Sequence, residues 1–272
     1  MESSEAKGLR PILKWVGGKR QILDKIIPLI PPSFNSYFEP FAGGLALCLA
    51  LKPHKAYIND LNADLITFYS SVKNYPEKLI LLIKRLKNDK ETFYKIRSID
   101  RNPNYQYIDD VFKSARFYYL NKTAYNGLYR VNSKGEFNAP FGNYKSFNID
   151  EENLLNISSY FKKNKIKFSS LDFGKVLSKA KENDFVYLDP PYYDTYTQYT
   201  KGQFGKDEQI RLKKWCDKLN QKGVKFLLSN SDTDFIKELY KDYQIEIVKV
   251  KRYINCDGKN RSNFTEVLVR NY

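Results

Sequence analysis

Short, nearly continuous apolar runs, each closed by a turn or an acid, occupy the two ends of the chain, and the middle reads differently. Ser36–Phe41 is one such run and leads into Ala42-Gly43-Gly44. Leu45–Leu51 is an apolar helical run, and Ala56–Asn59 is a second strand-like run that closes at Asp60. Strand, glycine turn, helix and strand in succession read as a βαβ unit. Further strands are predicted at Ile166–Ser169, Asp184–Leu188 and Lys225–Ser229. Gln244–Val250 and Glu266–Arg270 lie close enough for an antiparallel hairpin around Cys256–Ser262. Parallel strands joined by helices predict a doubly wound α/β sheet. From about residue 65 to 160 the pattern turns helical and basic (Lys73, Lys78, Lys84, Arg85, Lys87, Lys90, Lys95, Arg97, Arg101), and a loop-rich stretch follows from Asn121 to Lys145. The simplest architecture is an α/β domain of residues 8–64 and 165–272, split by a helical and loop insertion over 65–164.

Composition narrows the partners more than the fold. The 272 residues carry 46 Lys and Arg against 31 Asp and Glu, a formal charge of +15 that favours polyanions, unless the lysines serve solubility alone. The three cysteines, Cys48, Cys216 and Cys256, form no CxxC pair, which fits a reduced compartment better than a disulfide scaffold. The opening MESSEAKGLR has no apolar core, and no run approaches 18 apolar residues, so a cytoplasmic chain without a membrane segment is expected. His54 is the one histidine and sits in a loop-like Pro53-His54-Lys55, which argues against zinc; no metal is expected.

Three segments carry chemistry. Asp189-Pro190-Pro191-Tyr192 follows the apolar strand Phe185–Leu188, at the carboxyl end where open α/β sheets bind ligands. Two prolines fix φ and remove two donors, leaving carbonyls at a rigid corner. A nucleobase amine is a poor nucleophile because its lone pair is delocalised into the ring. Acceptors for its two N–H hydrogens draw the nitrogen toward sp³, and Asp189 with the Pro190 carbonyl suits that task, while Tyr192 offers a face for an extruded base. The bland alternative is a strand-ending turn with an incidental acid. Phe38-Glu39-Pro40-Phe41-Ala42-Gly43-Gly44 lets a cofactor approach backbone at a helix start, though Gly-Gly also serves packing; it is not GxGxxG, which argues against a dinucleotide. Asp60 is placed to accept from ribose hydroxyls or to cap the next helix, two compatible roles. Lys14-Trp15-Val16-Gly17-Gly18-Lys19 can fold around a carboxylate, with Lys19 as charge partner and Trp15 as apolar wall, or can be a basic surface loop.

Together these segments resemble the Dam-like DNA adenine methyltransferases, in the group whose cofactor motifs come first, target recognition next and the catalytic motif last. KWVGGK, FEPFAGG, IND, DPPY, the stretch NKTAYNGLYRVNSKGEFNAPFG and the closing CDGKNRSNFTEVLVRNY follow that family's order over nearly the whole chain. The resemblance implies a Rossmann-like S-adenosylmethionine methyltransferase sheet, mostly parallel with a C-terminal antiparallel hairpin, plus an inserted helical and loop DNA-recognition domain. It implies catalysis at Asp189, Pro190, Pro191 and Tyr192. It places S-adenosylmethionine at Trp15, Gly17, Gly18, Lys19, Glu39, Phe41, Gly43, Asp60, Asp172, Phe173 and Asp189. Many members have glycine where this chain has Leu45. The resemblance also implies duplex DNA as partner and GATC as the site, with Tyr125 and Asn126 near the flipped base, Lys14 and Arg130 on guanine, and Leu128 and Pro140 packed on base pairs. Read on residues alone, Tyr125–Arg130 offers a wedge and an arginine able to grip guanine O6 and N7, or a structural cap with Arg130 in a salt bridge. The basic helices fit phosphate contact or a solvated face about equally.

C5-cytosine chemistry is disfavoured, since none of the cysteines follows a proline at a strand end. N4-cytosine methylation shares the amino-group logic and stays open, as does pairing with a restriction endonuclease. A DNA-binding protein that has lost catalysis would lack the acid or a cofactor segment, and this chain has all three segments.

Overall fold

A computed structural model describes residues 8–193, 204–251 and 262–272, so the turn expected around Cys256–Ser262 falls outside the described residues except for Ser262. The chain packs as two compact units. One comprises residues 19–42, 53–61 and 166–272; the other comprises residues up to Gly18, 43–52 and 62–165. Residues 8–18 and 43–52 thus pack with the insertion.

The first unit carries a seven-stranded sheet. Its strands are β1 (Tyr37–Glu39), β2 (Lys55–Asn59), β3 (Lys165–Ser169), β4 (Phe185–Leu188), β5 (Lys225–Ser231), β6 (Gln244–Lys251) and β7 (Ser262–Arg270), in the spatial order β3-β2-β1-β4-β5-β7-β6. β1 runs parallel to β2 and β4, and β4 parallel to β5; β7 is antiparallel to both β5 and β6. This is the expected Rossmann-like sheet, mostly parallel with a C-terminal antiparallel pair. β1 and β4 are buried at every residue, as parallel strands covered on both faces should be. Because β1 leads outward to β2 on one side and β4 to β5 on the other, the order reverses between β1 and β4. The carboxyl ends of these two strands therefore define the switch point where such sheets bind ligands. Helices α1 (Leu23–Ile26), α8 (Phe173–Leu177), α9 (Lys206–Gln221) and α10 (Asp234–Leu239) belong to this unit. Leu212, Cys216 and Leu219 of α9 join Val186, Leu188, Phe226 and Leu228 in its core.

The second unit is helical: α2 (Ala46–Leu51), α3 (Ala63–Asn74), α4 (Pro76–Lys84), α5 (Lys90–Ser98), α6 (Asp110–Thr123) and α7 (Glu151–Lys163). α6 packs against α3, α4 and α5 and buries ten of its residues. Side-chain caps start most of these helices, satisfying N–H groups that have no partner in the helix. Asn62 accepts from the Leu65 amide, Asp89 from Thr92, Asp109 from Val111 and Phe112, and Asp150 from Asn153. α2 starts differently. Leu45 takes φ +59 and is fully buried. A left-handed leucine costs about 1–2 kcal/mol, and burying its side chain returns about 1.5–3 kcal/mol. Burial therefore offsets the strain.

Candidate active site

In the sheet-bearing unit, β4 ends at Leu188 and the backbone turns through Asp189-Pro190-Pro191-Tyr192. Lys19, only 5% exposed, sets its Nζ 2.8 Å from Oδ1 of Asp189, whose side chain stays 20% exposed. Burial raises the Asp189 carboxyl to about 6; Lys19 opposes the rise and the charge of Glu266 adds to it. The Tyr192 hydroxyl donates to Oε2 of Glu266 at 2.7 Å, and the Lys19 ammonium lies 4.8 Å from the Tyr192 ring centroid. Glu266 reaches this point because β7 lies beside β5, with Glu266 paired to Ser231. Two successive prolines leave the turn short of N–H donors, so its backbone is held from outside. Gln209 of α9 donates from Nε2 to the Pro191 carbonyl at 2.9 Å, and Asn230 of β5 donates from Nδ2 to Oε1 of Gln209 at 2.9 Å. The Ser231 hydroxyl donates to the Tyr193 carbonyl at 2.7 Å.

The ends of β1, β2 and β3 are joined by one buried side chain. Asn59 donates from Nδ2 to the carbonyls of Pro40 (3.1 Å) and Leu171 (2.9 Å), and its Oδ1 accepts from the Ser169 hydroxyl (2.8 Å) and the Leu171 amide (2.9 Å). All its hydrogen-bonding groups are used, which pins the backbone on either side of Asp60. The next helix is capped by Asn62, so of the two roles open to Asp60 the cap is taken by a neighbour. Glu39 is buried and accepts from the Tyr37 hydroxyl at 2.8 Å. Phe41 and Phe173 have ring centroids 5.4 Å apart, and Phe204 stands edge-on to Phe41 at 5.6 Å. Asp172 caps α8 and receives both Nη1 and Nη2 of Arg211, at 3.1 and 2.7 Å. Those donors hold its carboxyl below the usual carboxylate range. Arg211 also lies over the Phe173 ring at 3.9 Å.

The helical unit holds the remaining candidates. Gly43 takes φ +46, and a Cβ there would fall 2.8 Å from Cδ1 of Trp15. Glycine is thus required by both conformation and space. The Trp15 indole stacks near Tyr129 (6.1 Å, 26°), whose hydroxyl donates to Asp64 at 2.7 Å. Trp15, Gly17 and Gly18 form a turn in which the Gly18 amide donates to the Trp15 carbonyl. Asn121, fully buried on α6, accepts from the Lys14 amide at 2.9 Å and donates to the carbonyls of Lys14 (2.7 Å) and Gly127 (3.2 Å). Lys14 and Gly127 are thereby held together.

Residues 124–141 fold back on themselves through bridges Ala124–Phe141 and Val131–Phe137. The Tyr125 amide donates to the Pro140 carbonyl, and Tyr125 is 55% exposed beside Asn126 at φ 55. Leu128 is half-buried and Pro140 exposed. Arg130 donates from Nε to Oδ1 of Asn138 (2.6 Å) and from Nη2 to the Asn138 carbonyl (3.0 Å). Below this loop, Arg97 and Arg101 donate to the carbonyls of Ala139 and Phe137 at 3.2 and 3.1 Å. Asp100 accepts from the Phe137 amide at 2.7 Å and pairs with buried Arg116 at 2.6 Å. Two arginines of the basic helices thus brace the loop. Lys87, Lys90 and Lys95 are exposed, and Lys78 and Lys84 pair with Asp109 and Glu151.

The structure brings Lys19, Asp189 and Tyr192 together, and likewise Phe41 with Phe173, Trp15 with Gly43, and Tyr125 with Pro140. Sequence reasoning missed Asn59, Asn121, Gln209, Asn230 and Glu266. The signal available was weak: polar residues inside apolar runs, as in Leu228-Ser229-Asn230-Ser231 and Glu266-Val267-Leu268. Among the described residues no cluster of His, Cys, Asp and Glu could hold a metal ion, and no helix is long and apolar enough to cross a membrane.

The D12 class N6 adenine-specific DNA methyltransferase family matches residues 15–254. Type II methyltransferase M1.LlaDCHI of Lactococcus lactis subsp. cremoris is 43% identical over 97% of this chain and 96% of its own length. Type II methyltransferase M.MjaIII of Methanocaldococcus jannaschii is 42% identical, covering 97% and 99%. A DNA adenine methylase of Vibrio cholerae serotype O1 is 32% identical, covering 97% and 96%. With the Asp189–Tyr192 turn at the switch point of its sheet and family likeness from Trp15 to Ile254, this chain belongs to the D12 class N6 adenine-specific DNA methyltransferases.

Proposed function

We propose that the enzyme methylates N6 of an adenine flipped out of duplex DNA, with Asp189 and the Pro190 carbonyl as acceptors for the amine. The observation that carries this reading is the Lys19–Asp189 pair at the carboxyl end of β4. Ionised Asp189 and Pro190 each accept one N–H, which loosens the nitrogen lone pair from the purine ring. Tyr192, held by Glu266 and Lys19, gives the base a fixed ring to stack on. The residues present suit S-adenosylmethionine, which supplies an electrophilic methyl group on sulfur. Phe41 and Phe173 offer aromatic faces for its purine, and Asp60 accepts from ribose hydroxyls. Trp15, Gly17, Gly18, Lys19, Glu39, Gly43 and Asp172 complete the assignment, with the Asp172 carboxylate already accepting from the Gly174 amide and from Arg211.

In the same reading residues 65–164 recognise DNA. Tyr125 and Asn126 border the vacated space, Leu128 and Pro140 pack on base pairs, and Arg130 and Lys14 read guanine. Asn138 and Asn121 pre-order those two residues. GATC is the proposed site, supported by the pattern of the Asn121–Gly142 stretch, and the type II names of two relatives support pairing with a restriction endonuclease of the same site. Asp189→Ala tests the core of the reading: tritium transfer from labelled S-adenosylmethionine to duplex DNA is lost while DNA affinity stays close to wild type. Near-wild-type turnover by the purified variant would falsify it. Mapping methylated positions by sequencing tests the site.

A further inference from the structure

We infer that Gln209, oriented by Asn230, is a positioning residue that decides which proline carbonyl of the Asp189–Tyr192 turn meets the substrate amine. The inference rests on the proposed roles of Asp189 and Pro190. The turn presents two consecutive proline carbonyls, and only one is needed beside Asp189. Pro191 is taken, because Nε2 of Gln209 donates to its carbonyl at 2.9 Å. Among the described residues no hydrogen bond takes the Pro190 carbonyl.

The direction of this selection follows from donors that cannot be reversed. The amides of Ser231 and Tyr193 point to Oδ1 of Asn230 at 2.9 and 3.3 Å, and a backbone N–H only donates. Oδ1 is therefore the acceptor, Nδ2 of Asn230 donates to Oε1 of Gln209, and Nε2 of Gln209 is left to donate to Pro191. Gln209 and Asn230 are both fully buried, so water does not replace a missing partner cheaply. Without the Gln209 donor, the Pro191 carbonyl competes for the amine and the turn loses its brace on the side of α9.

Two variants test this through single-turnover methyl transfer on duplex DNA at saturating S-adenosylmethionine, from pH 6 to 9, with Kd for both substrates. Gln209→Met cannot donate at any pH, and a misplacement of this kind costs about 100-fold in rate. Its Kd values stay within about threefold of wild type. Gln209→Glu is isosteric and donates to Pro191 only while protonated, a form that the full burial of this position favours by desolvation, so its rate relative to wild type falls at least about tenfold as pH rises across the range. A Gln209→Met rate within twofold of wild type, or a flat Gln209→Glu ratio, overturns the inference. If Gln209→Met does not fold, the Gln209→Glu ratio alone decides. An active Asp189→Ala enzyme would instead bring down the reading of the turn itself. An inactive Asp189→Ala beside wild-type-like Gln209 variants removes only the selection step.

Discussion

Replacing Lys19 by methionine should move the acid limb of the pH–rate profile. In the wild-type enzyme the Asp189 carboxyl sits near 6 because burial raises it and Lys19 only partly restrains the rise. In the proposed mechanism Asp189 accepts an amine hydrogen in its ionised form, so kcat/KM for DNA is expected to fall as pH drops through about 6. At an effective dielectric constant near 20, unit charges 2.8 Å apart attract by about 6 kcal/mol. Desolvation cancels part of that, and truncating one partner of a buried pair costs about 3 kcal/mol. Three kcal/mol corresponds to about 2 pK units, which carries the carboxyl to about 8. At pH 7 only about a tenth of Lys19→Met molecules then hold Asp189 ionised, and the rate falls roughly tenfold, recovering toward pH 9. Stability changes in the opposite sense. The folded pKa of Asp189 lies above its ordinary value, so the group stabilises the fold below about pH 4 and that contribution is lost as pH rises through about 6. The assay is kcat/KM for a cognate duplex at saturating cofactor, measured from pH 5 to 9.5. A limb that stays near 6 in Lys19→Met, or a wild-type rate that is flat down to pH 5, refutes the electrostatic role given to this pair.

Two further outcomes follow from the helical unit. Gly43→Ala places a methyl 2.8 Å from the Trp15 indole at φ +46 and should lower the midpoint of thermal unfolding by about 5 °C, from roughly 2 kcal/mol of strain and displacement; an unchanged melting temperature would mean the contact is not tight. Arg130→Ala should relax discrimination against single-base changes in the recognition site by about 10- to 100-fold, read by competition between cognate and altered duplexes. Uniformly weaker binding with discrimination intact would assign Arg130 to the loop's own architecture with Asn138.

The helical caps show why much of the fold is readable from local pattern. Asp89 and Asp109 begin helices because a short acidic side chain satisfies amides two and three residues ahead, and that interaction lies within a few residues of sequence. The strands β1 and β4 are legible for a related reason: unbroken apolar runs have only a doubly covered strand or a buried helix to go to. Arg97 and Arg101 show the limit. Their charge reads as a nucleic-acid surface, yet their N–H groups go to carbonyls about forty residues away.

By itself the sequence determined where the proposed acceptor corner lies, since Asp189 and two prolines after an apolar strand define a rigid turn whatever surrounds them. It also placed a glycine pair between a strand and a helix, while the left-handed φ of +46 at Gly43 is seen only in the structure. What surrounds the corner was decided by tertiary structure alone. Glu266 and Gln209 are polar residues that suit a solvent-facing strand or helix equally well. They become a tyrosine clamp and a carbonyl brace only because β7 lies beside β5 and α9 packs its inner face against the same strands. A buried polar group is stable only with its partners in place, and those partners are brought together by sheet order, which no local pattern of residues encodes.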